Sequence, residues 1–284
     1  MTRHAVLVTN HSAGGGRGGA AAQRVEDALR ALGWRVRAVR SRDGEDAMRI
    51  GAEADPDEVV VSLGGDGTHA LVARGVARSG ALLAPLPGGR GNDFVRALGA
   101  SRDPVAGALA LALARERRID LGDAGGVGFL GVVSIGYSAL ASRFALTSRV
   151  RGPLAYHAAA VRALHACRPR EYTITVDGVR RTWTGMELAI GLSGWYGGGL
   201  HICPAADLAD ARLDVSAIAG SKTAFPAIMT GMFSGSHVNR PEVQTYRAAS
   251  VEVEGRGEVW ADGDALGALP IRVTTRPGAL RLLA

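Results

Sequence analysis

A chain of 284 residues carrying 33 Lys and Arg against 27 Asp and Glu (net charge +6) suits two modest domains or one large one. At that length it buries roughly three quarters of its unfolded surface and needs no covalent staple. Cys167 and Cys203 stand far apart, which excludes a disulfide framework and favours a reducing interior. The most apolar helical stretch, Val105 to Ala114, is too short to span a bilayer and ends at Arg115-Glu116-Arg117-Arg118. His4-Ala5-Val6-Leu7-Val8 starts a strand with no leader pattern ahead of it, so a soluble, cytoplasmic protein is expected. Lys222 is the only lysine, a bias that reads as GC-rich coding; the positive charge still suits visits to an anionic surface.

In chain order the first half alternates strand and helix. Strands are expected at Ala5–Thr9, Arg35–Val39, Val59–Leu63 and Leu82–Pro85, and helices at Ala20–Leu32, Ala47–Ala54, His69–Arg78, Asp93–Leu98 and Val105–Arg115. That alternation predicts a parallel sheet covered on both faces. From about Asp120 the texture becomes strand-rich. Phe129–Val133, Tyr172–Val176, Glu187–Leu192, Leu213–Ile218, Ser250–Val253, Glu258–Ala261 and Ile271–Thr274 read as strands, with Asp177-Gly178 and Asp262-Gly263 as turns. An antiparallel β domain follows, with helical insertions near Pro153–Ala166 and Thr223–Gly231. The first insertion, with arginines at 149, 151, 162, 168 and 170, reads as an ordinary surface helix; His157 and His165 on it show no metal spacing.

Two loops carry the chemistry: Gly64-Gly65-Asp66-Gly67-Thr68 and Pro87-Gly88-Gly89-Arg90-Gly91-Asn92-Asp93. Each follows an apolar run and precedes a helix, which places both at the carboxyl ends of strands, where open α/β sheets bind ligands. Glycine lets the backbone approach an anion with its N–H groups turned inward, and a helix N-terminus adds partial positive charge. Each loop also holds an acidic residue, so a cation must sit between it and the anion. Nucleotide phosphates with a divalent metal reconcile the two. A plain strand-to-helix turn would need only Asp66 as a cap, and three glycines around it exceed that need.

Gly14, Gly16 and Gly19 satisfy G-x-G-x-x-G, with Arg42 or Asp43 as a ribose reader, but a glycine run matches that pattern equally well by chance. The segment from Asn10 through His11 to Gly16 reads as a phosphate-facing loop. A Walker A loop is excluded, because Lys222 follows Ser221 and no glycine loop carries a lysine. Phosphates must then be neutralised by backbone N–H groups, metal and arginine.

Taken together, GGDGT at Gly64–Thr68 and the following Pro87-to-Phe94 segment resemble the diacylglycerol kinase catalytic family, the bacterial soluble lipid kinases related to sphingosine kinases. NAD kinases share only the first loop, so the second loop decides between them. Weaker matches follow in order at Trp195-Tyr196-Gly197-Gly198-Gly199, Pro204 to Asp210, Asp262-Gly263-Asp264 and Pro277-Gly278-Ala279-Leu280. The resemblance implies a phosphofructokinase-like α/β nucleotide domain over residues 1–119 and a β-rich, antiparallel, sandwich-like lipid-binding domain over 120–275, with 276–284 returning to the first.

It also implies an ATP-dependent kinase of lipid metabolism that uses Mg2+ and a diacylglycerol-like acceptor. The alternatives are a kinase for a soluble alcohol such as NAD, and a binding protein without transfer activity. Asp66 matches the family's aspartate at the ATP–magnesium site, and Ser41 a threonine that contacts ATP. Arg90 stands where most relatives have threonine and offers a guanidinium for a phosphate. Asn92 and Asp93 match residues shaping the cleft. The nucleotide set is thus Asn10, Ser41, Gly64, Gly65, Asp66, Gly67, Thr68, Gly88, Gly89, Arg90, Gly91, Asn92 and Asp93. Asp264 matches the general base, normally a glutamate, and is shorter by one methylene; with Asp66 it forms the catalytic pair. Asp210, with the carbonyls of Asp207 and Arg212, matches a structural magnesium site, where Ala211 replaces the usual glycine. Expected partners are a lipid presented at the inner face of the membrane and a second copy of the chain, not nucleic acid.

Overall fold

The computed structural model describes residues 3–10, 17–148 and 153–284. The first half runs β1 (His4–Asn10), α1 (Arg17–Ala31), β2 (Arg35–Ser41), α2 (Gly44–Ala52), β3 (Val59–Gly64), α3 (Asp66–Ser79) and β4 (Leu82–Pro87), then α4 (Asp93–Ala97) and α5 (Pro104–Ala110). β1 to β4 pair in parallel in the order β2-β1-β3-β4. Local chemistry fixes the helix ends. The Asp43 carboxylate accepts the Asp46 N–H at 2.8 Å ahead of α2, Asp103 caps α5 before Pro104, and Gly80 ends α3 at φ 73°.

The second half comprises β5 (Glu116–Ala124), β6 (Val127–Phe129), β7 (Val132–Gly136), α6 (Tyr137–Leu146), α7 (Pro153–Ala166), β8 (Arg170–Val176), β9 (Val179–Gly185) and β10 (Glu187–Gly191). It continues through β11 (Trp195–Tyr196), β12 (Leu200–His201), β13 (Leu213–Ile218), α8 (Phe225–Met232), a 3-10 turn at Ser236–Asn239, β14 (Val243–Ala248), β15 (Ser250–Gly255), β16 (Glu258–Ala261), β17 (Asp264–Ala268) and β18 (Ile271–Leu283). One antiparallel sheet has the order β14-β13-β10-β7-β16-β17. The fold is therefore a mostly parallel α/β unit followed by an antiparallel, sandwich-like β unit. The largest of three apolar clusters among the described residues runs from Val8 and Leu83 through Leu121 to Ile135 and Ile190.

β18 joins the halves. It pairs in parallel with β4 through Arg281↔Leu82 and Leu282↔Leu83, and antiparallel with both β5 and β15. The Arg281 guanidinium donates to Glu116 at 2.7 and 3.0 Å and to the carbonyls of Pro56 and Gly80, both at 2.9 Å. The strand expected at Ile271–Thr274 is thus the start of a much longer one.

Other boundaries move for identifiable reasons. The Phe129–Val133 strand divides into β6 and β7 because the Leu130 and Gly131 N–H groups donate to Asp262. The helix expected to reach Arg115 stops at Ala110, since Arg115 exchanges backbone hydrogen bonds with Ala284 as β5 begins. α6, β5, β9, β11, β12, β14 and β17 were not expected. β9 is an edge strand, exposed at all but two of its positions, so it shows no apolar alternation.

α2 and α3 cross where two glycines face each other. A Cβ on Gly75 would lie 2.1 Å from the Met48 carbonyl oxygen and 2.8 Å from the Ala52 nitrogen. Gly75→Ala must therefore separate the helices. Urea denaturation is expected to show a loss of about 1–3 kcal/mol, the usual range for overpacking; unchanged stability would refute the close crossing.

Candidate active site

The ends of β2, β1, β3 and β4 lie side by side at the carboxyl edge of the parallel sheet. Asn10 and Ser41 are register partners there, and the Ser41 hydroxyl donates to the Thr9 carbonyl at 3.2 Å. The glycine loops leave β3 and β4 next to them. The Gly88 N–H donates to the Gly64 carbonyl at 2.7 Å, and a Cβ on Gly89 would lie 2.5 Å from Gly65 Cα. No residue but glycine lets these backbones touch. Thr68 is buried and packs under Gly64, where a Cβ would meet its side chain at 2.6 Å. Gly14 and Gly16, with His11, lie outside the described residues, while Gly19 falls within α1.

Asn92 braces the second loop. It adopts φ 53°, its Oδ1 accepts the Gly89 N–H at 2.8 Å and its Nδ2 donates to the Gly89 carbonyl at 3.2 Å. Asp66 opens α3, with Gly65 as the cap residue, and its Oδ1 accepts the Phe94 N–H at 2.8 Å across the gap between loops. Asp93 is buried: Oδ1 takes the Arg96 guanidinium at 2.9 Å and Oδ2 the Gly198 N–H at 2.6 Å. The Trp195–Gly199 segment is thereby tied to the second loop, and Arg96 also lies over the Trp195 ring. Gly91 is wedged among them, its Cβ position 3.0 Å from Asp66 Oδ2 and 3.2 Å from Asp93 Oδ2. Arg90, between Gly89 and Gly91, is left exposed.

The Asp262-Gly263 hairpin turn, at φ 50° and 92°, brings the second half to this point. Gly67 faces the Asp262 carbonyl, its Cβ position 3.4 Å away. The two Asp262 oxygens accept the Leu130 and Gly131 N–H groups at 2.7 and 2.8 Å. Burial, reinforced by Asp66, pushes both Asp93 and Asp262 up to about 6. Asp264 is the accessible acid of the turn; its Oδ2 meets the Arg74 guanidinium at 3.3 and 3.4 Å. The sequence did not single out Asp262, Arg74 or His69. His69 is wholly buried, its Nδ1 facing the Ser62 hydroxyl at 2.9 Å, and desolvation lowers it to about 4.

Among the described residues no three His, Cys, Asp or Glu side chains are arranged to hold a metal alone. The donors at the cleft still fit a divalent ion completed by phosphate oxygens. Asp66 repels both Asp93 and Asp262, and a cation beside these carboxylate oxygens would remove that repulsion. The second expected site fits less well. The Asp210 carboxylate accepts the Arg212 N–H at 2.9 Å and pairs with Arg247, while Asp207 accepts the Ala209 N–H at 2.9 Å. A guanidinium thus already neutralises that loop. Ala211 adopts φ 60°, a conformation glycine takes without strain. Beneath it, buried Asp120 accepts the Ala211 and Gly278 N–H groups at 2.7 and 2.8 Å.

Comparison with known proteins agrees with this geometry. Residues 4–124 match the diacylglycerol kinase catalytic domain, and residues 131–284 match the YegS C-terminal NAD kinase beta sandwich-like domain. The Mycobacterium tuberculosis protein named diacylglycerol kinase is 33% identical, covering 100% of this chain and 97% of its own. A Pseudomonas aeruginosa relative named "Probable lipid kinase YegS-like" is 34% identical over 99% of this chain and 95% of its own. A Bacillus anthracis diacylglycerol kinase crystal structure superposes with TM-score 0.73 at 20% identity, covering 99% and 96%, which supports the fold. The chain belongs to the diacylglycerol kinase catalytic family, and it is a kinase. No helix among the described residues is long and apolar enough to cross a membrane.

Two outcomes test this site. Gly89→Ala should force the loops apart and lower kinase turnover by about 10²-fold, the cost of a misplacement near 1 Å at a reacting site; unaltered turnover would remove the loop contact from the site. His69 is held below its unfolded value, so its contribution to stability is full above about pH 6.5 and drains away as pH falls toward 4. Denaturant titrations should therefore show wild type losing stability relative to His69→Leu between pH 7.5 and 4.5. A gap that does not change with pH would contradict the buried neutral ring.

Proposed function

We propose that the protein is an ATP-dependent lipid kinase that moves the γ-phosphoryl group of MgATP to the hydroxyl of a diacylglycerol-like acceptor presented at a membrane surface. The observation that carries this reading is the convergence at Asp66. That carboxylate bridges the two glycine loops, and the turn holding Asp264 rests against Gly67. The names of the relatives support a lipid acceptor.

In this reading the backbone N–H groups at the start of α3 and in the second loop receive phosphate oxygens, and exposed Arg90 grips a phosphate bidentately. Asn10 and Ser41 border the nucleotide at the neighbouring strand ends. Asp66, whose Oδ2 is left over from its bond to the Phe94 N–H, is the side chain that would hold magnesium, which would neutralise the phosphate oxygens. The acceptor oxygen attacks the γ-phosphorus as the bond to the β–γ bridging oxygen breaks, leaving ADP. Asp264 takes the acceptor proton. Asp262 is the less suited of the two acids, because both of its oxygens are turned to the Leu130 and Gly131 N–H groups while Asp264 is half exposed.

The test is labelled ATP with a panel of dispersed diacylglycerol, sphingoid base, polyprenol and NAD. A labelled lipid monoester is expected, with NAD unlabelled; label on NAD alone would overturn the lipid reading. Asp264→Asn should lower kcat by about 10²–10⁴, the range for a lost general base, with MgATP affinity kept. Asp66→Ala should abolish MgATP binding.

A further inference from the structure

Arg74 lies eight residues after Asp66 on α3, in a helix whose opening residues form the first glycine loop. Its side chain is only 14% exposed. The Nε donates to the Gly128 carbonyl in β6 at 2.6 Å, which fixes the plane of the guanidinium. Both terminal nitrogens then converge on one oxygen of Asp264, at 3.3 and 3.4 Å. The acid is the accessible end of this pair, at 46% exposure, and the arginine is the buried end.

A half-exposed ion pair contributes little to stability, on the order of 1 kcal/mol or less. Its geometry instead answers a problem of reach. An aspartate here stands one methylene short of the glutamate usual in the resembled family, and a shorter acid has less reach to make up for a misplaced carboxylate. A guanidinium seated on a strand carbonyl supplies a fixed anchor that lysine could not, since only the planar fork can serve two partners in one plane. The turn is thereby held from both sides, by Asp262 on the Leu130 and Gly131 N–H groups and by Arg74 on Asp264.

We propose that Arg74 is a positioning residue that holds the Asp264 carboxylate in place for the acceptor hydroxyl. This rests on the lipid kinase reading for its catalytic consequence, although the clamp itself does not. The test is a cycle of Arg74→Gln and Asp264→Asn, with Arg74→Lys as the conservative variant and calorimetric Tm as the control for folding. Arg74→Gln should lower kcat by about 10²-fold, as a misplaced reacting group does, with the KM for ATP within about twofold of wild type. Arg74→Lys should fall between the two. In the Asp264→Asn background Arg74→Gln should cost less than about twofold, because the group it positions is gone. An unaltered kcat, or the same loss in both backgrounds, would overturn the proposal. If Arg74→Gln does not fold, the Lys variant carries the same cycle.

A second readout needs no acceptor. Hydrogen exchange at the Gly263, Asp264 and Ala265 amides should quicken in Arg74→Gln, and unchanged exchange would overturn the clamp. Should wild type phosphorylate no lipid, the lipid kinase reading falls, and the exchange result still decides what Arg74 does.

Discussion

The structure depends on one contact between two stretches of bare backbone. β3 and β4 are neighbours in a parallel sheet, so the loops leaving them must occupy the same few ångströms at its carboxyl edge. They fit only because Gly65 and Gly89 meet with no side chain between them, sealed by the hydrogen bond from Gly88 to Gly64. The result sets both loop backbones beside the start of α3, whose first N–H groups have no partner within the helix. It gathers positive dipoles without a lysine, which is consistent with a chain whose only lysine is remote from it in sequence.

A surface built this way attracts anions, yet the side chains around it are acidic. Asp66, Asp93 and Asp262 are each held by backbone N–H donors, and the latter two are pushed upward by burial and by Asp66. The cleft therefore sets a helix N-terminus, which favours an anion, beside a cluster of carboxylates, which favours a cation. A phosphate chain carrying a divalent ion satisfies both at once. The same carboxylates hold the cleft walls in place: Asp66 spans the loops, Asp93 holds the Trp195–Gly199 segment and Asp262 holds the β6–β7 corner.

The far wall reaches the cleft through β18. Because that strand lies beside β4 at one end and β15 at the other, the antiparallel unit is fixed to the nucleotide side by hydrogen bonds within one sheet. Asp120 strengthens the same junction by tying the loop at Ala211 to the bend at Gly278. The Asp262-Gly263 turn then arrives opposite Gly67 at a fixed distance, and Arg74 completes the connection from below.

Much of this was legible in order along the chain. The alternation of apolar runs and amphipathic segments determined the parallel half, the two glycine loops marked the carboxyl ends of β3 and β4, and the Asp-Gly pairs determined two hairpin turns, because each is a local pattern with a local cause. Leu213–Ile218 and Glu258–Ala261 fall where their β-branched and apolar alternation put them. Only the tertiary structure decided that Leu130 and Gly131 leave their strand for Asp262, and that Arg74 faces Asp264 across 190 residues. Those partners are chosen by packing between distant segments, and a lone arginine in a helix gives no sign of the carboxylate it will meet.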